Sequence, residues 1–236
     1  MTFPQFCEQL EERISKYDLL CHPFYKAWAA GELTREELRA YAADYYPHVA
    51  AFPEYLRAAA ARTVDGGLRA ALLLNRADEM GADYPGARPH EELWLDFAEG
   101  MGAQREEVRR HTPIPEVEEL MASFRRVAEE GSSAEALAAF YAYESQVPRV
   151  AKEKARGLRE LYGADARSYG YFTLHQTADV HHAQVWKQQL ERELAADPEA
   201  AAAALEAAEA AARALWRALD GIEERRQAHA LHAQVW

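Results

Sequence analysis

The chain has 236 residues, enough for one large domain with a full apolar core and no need of a disulfide or structural metal. Apolar residues make up 49% and charged residues 28%, which excludes disorder, collagen and a coiled coil as descriptions of the whole. The net charge of −12, from 27 basic and 39 acidic residues, repels phosphate backbones and argues against nucleic acid as a partner.

The opening segment MTFPQFCEQLEERISKYD carries acidic residues and no apolar stretch of the signal-peptide kind. No run of about 18 apolar residues follows anywhere, so no membrane span is expected and the cytoplasm is the expected location. Cys7 and Cys21 stand without a CxxC pattern and read as two free, buried thiols of a reducing compartment. Thr34-Arg-Glu-Glu37 is a capping box, which opens a helical run through Tyr41, Tyr45 and Val49 that Pro47 should kink or divide. Gly66-Gly67, Tyr84-Pro-Gly86 and Thr112-Pro-Ile-Pro115 mark turns. A second box, Ser132-Ser-Ala-Glu135, opens a helix expected to reach about Tyr162 despite Pro148. Asp197-Pro198 starts an Ala-rich helix expected to end near Leu219. Period-2 alternation is absent. The pattern predicts an all-α fold of seven or eight helices, in one domain over 1–224 with a tail over 225–236. His182-Ala-Gln-Val-Trp186 recurs as His232-Ala-Gln-Val-Trp236, too short to be a structural repeat.

Three segments could carry chemistry. In His175-Gln-Thr-Ala-Asp179-Val-His181-His182, a helix would place His175, Asp179 and His182 within about 60° of arc, with His181 pointing elsewhere. Two imidazoles and a carboxylate on one stripe suit a divalent transition metal. Glu144 lies in the aromatic stretch Phe140-Tyr-Ala-Tyr-Glu-Ser-Gln-Val-Pro148, where a carboxylate calls for a partner. Asn75-Arg-Ala-Asp-Glu79 follows the apolar run Leu72–Leu74, and His90-Glu-Glu-Leu-Trp94 comes after a turn. Asp78, Asp83, Glu91 and Glu92 read as surface charge. Three His, two Glu and one Asp on separated helical segments fit two metals better than one.

The blocks HPFYKAW (22–28), YAADYYPHVAAFPEYL (41–56), HEELWLDFAEGMG (90–102), YAYESQVPRVAKEKARGL (141–158) and HQTADVHHAQVW (175–186) resemble the CADD-like proteins (Chlamydia protein associating with death domains). These are haem-oxygenase-like di-metal oxidases, related to thiaminase II and to the last-step enzyme of pyrroloquinoline quinone synthesis. The resemblance covers about residues 5–224 and is most specific in its last two blocks. It implies a haem-oxygenase-like helical bundle and a ligand set of Glu79, His90, Glu144, His175, Asp179 and His182. The set would hold two divalent ions, iron and/or manganese. The interval from Glu79 to His90 is longer than the family's, which leaves His48 as a reserve ligand. The resemblance further implies O2 and a reductant as reaction partners, and a homodimer as the assembly to test. The implied product is para-aminobenzoate for folate synthesis, made from the protein's own side chains. Tyr25 then matches the ring donor, Tyr41 a neighbouring redox tyrosine, and Lys154, or alternatively Lys152, the amino donor. The same ligands would also serve a di-iron oxygenase acting on an external small substrate. A helical binding or regulatory module without chemistry is the third reading, though no basic recognition helix supports DNA binding.

Overall fold

The computed structural model describes residues 1–82 and 85–233, and within them every element is helical. The helices are α1 (Phe3–Ser15), α2 (Pro23–Ala30), α3 (Arg35–Arg62), α4 (Gly66–Glu79), α5 (His90–Gly100), α6 (Arg105–Arg109), α7 (Pro115–Glu130), α8 (Ser133–Glu144), α9 (Val147–Glu160), α10 (Gly170–His175), α11 (Ala178–Ala196) and α12 (Ala201–Ala233). Both capping boxes form. Thr34 Oγ1 accepts from the Glu37 amide at 3.2 Å while Glu37 Oε2 accepts from the Thr34 amide at 2.6 Å. Ser132 and Glu135 do the same at 3.3 and 2.8 Å.

The count exceeds seven or eight because the chain breaks where continuous helix was expected. The run from Ser132 stops at Glu144, and Pro148 sits in the first turn of a new helix, α9, where its missing N–H costs nothing. The segment 170–196 is likewise two helices, interrupted at Gln176–Thr177. Pro47, in contrast, does not divide α3. Burial of Tyr41, Tyr45, Val49, Phe52 and Tyr55 along one side carries the helix across both Pro47 and Pro53. The Ala-rich helix does not end near Leu219. Ile222 and Glu223 are buried, Arg225 pairs with the buried Asp44 at 2.9 Å, and Arg226 pairs with Glu223 at 2.7 Å. The helix therefore runs on through 225–233, the stretch expected as a tail, while residues 234–236 of the short repeat lie outside the described residues, as does Asp83. Among the described residues no helix is long and apolar enough to cross a membrane. The thiols also differ from expectation. Both are free, but Cys7 is only half-buried and Cys21 is exposed, because Leu19 takes the inward position in the short turn Leu19–Cys21.

Helix α8 lies at the centre, buried on every side from Ala136 to Glu144, with α7, α11 and α12 packed around it. A helix that is apolar all round belongs in such a position. On the other side α3 packs on α4, α5 and α7, and α10 bridges α5 and α9. Trp28, Trp94 and Trp186 are fully buried. Close approach also fixes Gly157 of α9, where an added Cβ would lie 2.8 Å from Trp28 Nε1. Gly157→Ala is expected to lower stability by about 1–3 kcal/mol through this overpacking, read as a drop in the urea midpoint with an unchanged m-value.

Candidate active site

Six side chains from five helices meet in two groups of three. Glu79, His90 and His175 form one group, and Glu144, Asp179 and His182 the other. In each group the potential ligand atoms lie within 4.8 Å of one another, and all six residues are buried. Glu79 ends α4 and His90 begins α5, and the two side chains meet, with His90 Nδ1 2.9 Å from Glu79 Oε2. Arg88, just before His90, is anchored to the buried Asp96 at 2.6 Å. His175 ends α10, its ring centroid 4.6 Å from that of His90. Its Nδ1 lies 2.7 Å from the Tyr171 carbonyl. A carbonyl only accepts, so Nδ1 carries the proton and Nε2 keeps the lone pair a metal needs. In the second group His182 Nδ1 is 3.3 Å from Asp179 Oδ1 and 3.4 Å from Glu144 Oε1. Asn75 Nδ2 donates to Glu144 Oε1 at 3.0 Å, and Trp186 Nε1 donates to Oε2.

The helix break at Gln176–Thr177 changes the reading of the His175–His182 stripe. A continuous helix would aim all three residues at one point. The break sends His175 to Glu79 and His90, leaving Asp179 and His182 with Glu144. His181 is exposed, as its angle on the helix requires. His48 is buried but joins neither group, facing the rings of Tyr45, Tyr55, Phe124 and Tyr143.

The electrostatics describe a site that wants cations. Burial pushes the Glu79 carboxyl upward, but His90, His175 and His182 together outweigh burial and hold its pKa below the usual value. His90 is raised by the same pairing against its own burial. His175, buried and next to His90, is pushed down to about 4. Asp179 is pushed up to about 7 by burial and by the Glu144 charge. At His182 burial pulls downward, yet Asp179, Asp78 and Glu144 together raise it to about 12. Among the described residues no Arg or Lys forms an ion pair with Glu79, Glu144 or Asp179. Buried carboxylates so arranged need another source of positive charge. Three imidazoles and three carboxylates without a thiolate fit first-row divalent ions. The cavity that touches both groups, lined by Val49, Phe52, Tyr143 and Tyr171 among others, measures about 10 Å³. That is room for roughly one water-sized molecule.

Beside this centre lies a dry triad. Lys154 Nζ of α9 sits 2.8 Å from Tyr25 Oη of α2 and also donates to Tyr41 Oη of α3, and the two hydroxyls are 3.2 Å apart. Nζ is 4.2 Å from the Tyr25 ring centroid and 4.5 Å from that of Tyr41. Burial drives the Lys154 pKa well below its ordinary value and raises those of both tyrosines, which favours the neutral amine and the neutral phenols. Lys152, two residues earlier, is exposed and meets neither ring. Rings in contact join the triad to the ligand groups: Tyr41 to Trp94 at 5.7 Å, Trp94 to Tyr171 at 4.9 Å, and Tyr171 to His175 at 4.0 Å.

Sequence reasoning missed three participants. Asn75 and Trp186 hold Glu144, and each stands four residues from a ligand candidate, Glu79 and His182, on the same helix face. Asp78, read as surface charge, instead places Oδ2 3.0 Å from His182 Nε2.

Comparison with known proteins gives the family of the chain. The family model described as "Iron-containing redox enzyme" matches residues 39–216. The chain is 42% identical over 220 residues to a 4-aminobenzoate synthase of Chlamydia trachomatis, covering 93% of this chain and 92% of that one. It is 39% identical over 234 residues to a 4-aminobenzoate synthase of Nitrosomonas europaea, covering 95% and 93%. In fold it is similar to a solved domain from Shewanella denitrificans with a haem-oxygenase-like fold, at a TM-score of 0.80, 18% identity and coverage of 96% and 94%. Ligand chemistry, fold and sequence converge, and the chain belongs to the iron-containing redox enzyme family.

Proposed function

We propose that this protein makes 4-aminobenzoate, a folate precursor, taking the ring from Tyr25 and the nitrogen from Lys154. The observation that carries this reading is the sealed contact of Lys154 Nζ with Tyr25 Oη at 2.8 Å. In 4-aminobenzoate the nitrogen stands para to the carboxyl carbon, as the hydroxyl of tyrosine stands para to Cβ. An amine beside the phenol oxygen is therefore at the carbon where nitrogen must attach. The cavity between the two ligand groups is too small for an aromatic substrate, and the larger one beside them is lined by His182 alone of the six. The names of the relatives at about 40% identity support 4-aminobenzoate as the product.

Glu79, His90 and His175 would hold one divalent ion, and Glu144, Asp179 and His182 a second, drawn from iron and/or manganese. Bound there, with O2 and a cytoplasmic reductant, the ions would supply the oxidising power. The side chains do the rest. Tyr41 keeps its hydroxyl against both Tyr25 and Lys154 and is placed to take or return a proton there. Burial favours the unprotonated, nucleophilic form of Lys154. Trp28, Trp94 and Phe172, with ring centroids 5.3, 5.9 and 5.3 Å from Nζ, exclude water from the reacting pair. Lys152 has no part in this scheme.

The test is isotopic. Full-length protein is produced with ring-13C tyrosine and ε-15N lysine, purified into unlabelled buffer, loaded with iron and manganese, and exposed to air and reductant. Mass spectrometry should find 4-aminobenzoate carrying both labels. Product that is unlabelled, or formed only when an aromatic compound is added, would establish an external substrate.

A further inference from the structure

We propose that Asp78 is a positioning residue of the metal centre, setting which nitrogen of His182 faces the ligand group. The inference rests on the ligand set proposed above. Asp78 and Glu79 close α4, and neighbours on a helix point roughly 100° apart. One helix end thus serves both groups: Glu79 turns to His90, and Asp78 to His182. The ring of His182 lies between two sets of oxygens. Nδ1 is 3.3 Å from Asp179 and 3.4 Å from Glu144, while Nε2 is 3.0 Å from Asp78 Oδ2. An imidazole ligand binds metal through one nitrogen and needs an acceptor for the N–H of the other. Asp78 is that acceptor. With Nε2 turned to Asp78, Nδ1 is the nitrogen that faces Asp179 and Glu144.

The surroundings suit this role. The Asp78 side chain is 23% exposed, against 8% for His182. It sits in a cavity of about 250 Å³ between α4 and α11, shared with Leu74, Asn75, His181 and Val185. Asp78 is thus the more solvent-accessible member of the pair, and His182 the more buried one. Asp78 Oδ1 is also 4.0 Å from His90 Nε2, so this carboxylate is within reach of both groups.

The test compares full-length wild type with Asp78→Ala, Asp78→Asn and His182→Ala, titrated with Mn2+ and followed by the electron paramagnetic resonance of the free ion. Asp78→Ala should weaken the binding of one ion about 10- to 100-fold while both ions still bind at saturation. Asp78→Asn retains a carbonyl acceptor and should recover part of that loss. In Zn2+-loaded protein with 15N-histidine, His182 Nε2 should carry the proton. Unchanged Mn2+ affinity in Asp78→Ala, or metal on His182 Nε2, overturns the positioning role alone. An ion missing at saturation in Asp78→Asn makes Asp78 a ligand, which also overturns it. Unchanged binding in His182→Ala overturns the ligand set itself, and the positioning role with it.

Discussion

Lys154→Met is expected to abolish 4-aminobenzoate formation and, at the same time, to raise the melting temperature at neutral pH. The two effects have one cause. Burial lowers the Lys154 pKa well below the ordinary value of 10.5, since no carboxylate accompanies the amine and only phenols and aromatic rings surround it. Burial favours the neutral amine in the folded protein, where the unfolded chain would hold a protonated one. Below pH 10.5 the unfolded state therefore binds more protons, so stability falls as pH falls until the folded-state pKa is passed. Methionine has a similar length and no proton to lose. The two tyrosine hydroxyls keep each other as partners at 3.2 Å. Calorimetry should find Lys154→Met more stable at pH 7, with the difference shrinking as pH rises toward 10.5. Each ~1 kcal/mol recovered corresponds to about 2–4 °C in a chain of this size. A variant that still makes product would show that the nitrogen comes from elsewhere. A variant less stable than wild type would show that Lys154 is charged in the folded state.

Such a trade of stability for chemistry is typical of functional sites, and it is where sequence reasoning succeeds and fails in an orderly way. Glu144 stands out in sequence because a carboxylate amid Phe140, Tyr141 and Tyr143 needs a partner. The structure supplies Asn75, Trp186 and His182 around it. The capping boxes at Thr34 and Ser132 are legible because a cap is a local exchange of hydrogen bonds. What no local rule supplies is the tertiary arrangement. Gln176–Thr177 contains neither Gly nor Pro, so the break that separates His175 from Asp179 is invisible in periodicity. Asp78 is indistinguishable from a surface acid until α11 is packed against α4. Pro47 looks like a helix breaker because propensity omits the burial of Tyr41, Tyr45 and Phe52 that keeps α3 whole. The extension of α12 past Leu219 depends on Asp44 and Glu37, more than 180 residues away.

The split of the stripe carries the second large effect. His175→Ala and His182→Ala are expected to cost different ions. Were the stripe one continuous helix, both changes would strike the same ion. With His175 beside Glu79 and His90, and His182 beside Glu144 and Asp179, each change removes one donor of three from its own group. The remaining pair in each case includes a buried carboxylate, whose charge a weakly held ion no longer offsets. Metal analysis after equilibration with Mn2+ and desalting should therefore fall from about two ions per chain to about one in either single variant. It should approach zero in the double variant. His181→Ala is the internal control, since its ring is exposed and belongs to neither group, and it should retain the full complement. The surviving ion should also differ. In His175→Ala its environment should respond to a further Glu144→Gln change, and in His182→Ala to Glu79→Gln, each seen as a shift in the bound Mn2+ resonance. Loss of both ions from one single variant would mean that the groups act as one cluster, with the carboxylates of α4 and α8 shared between them.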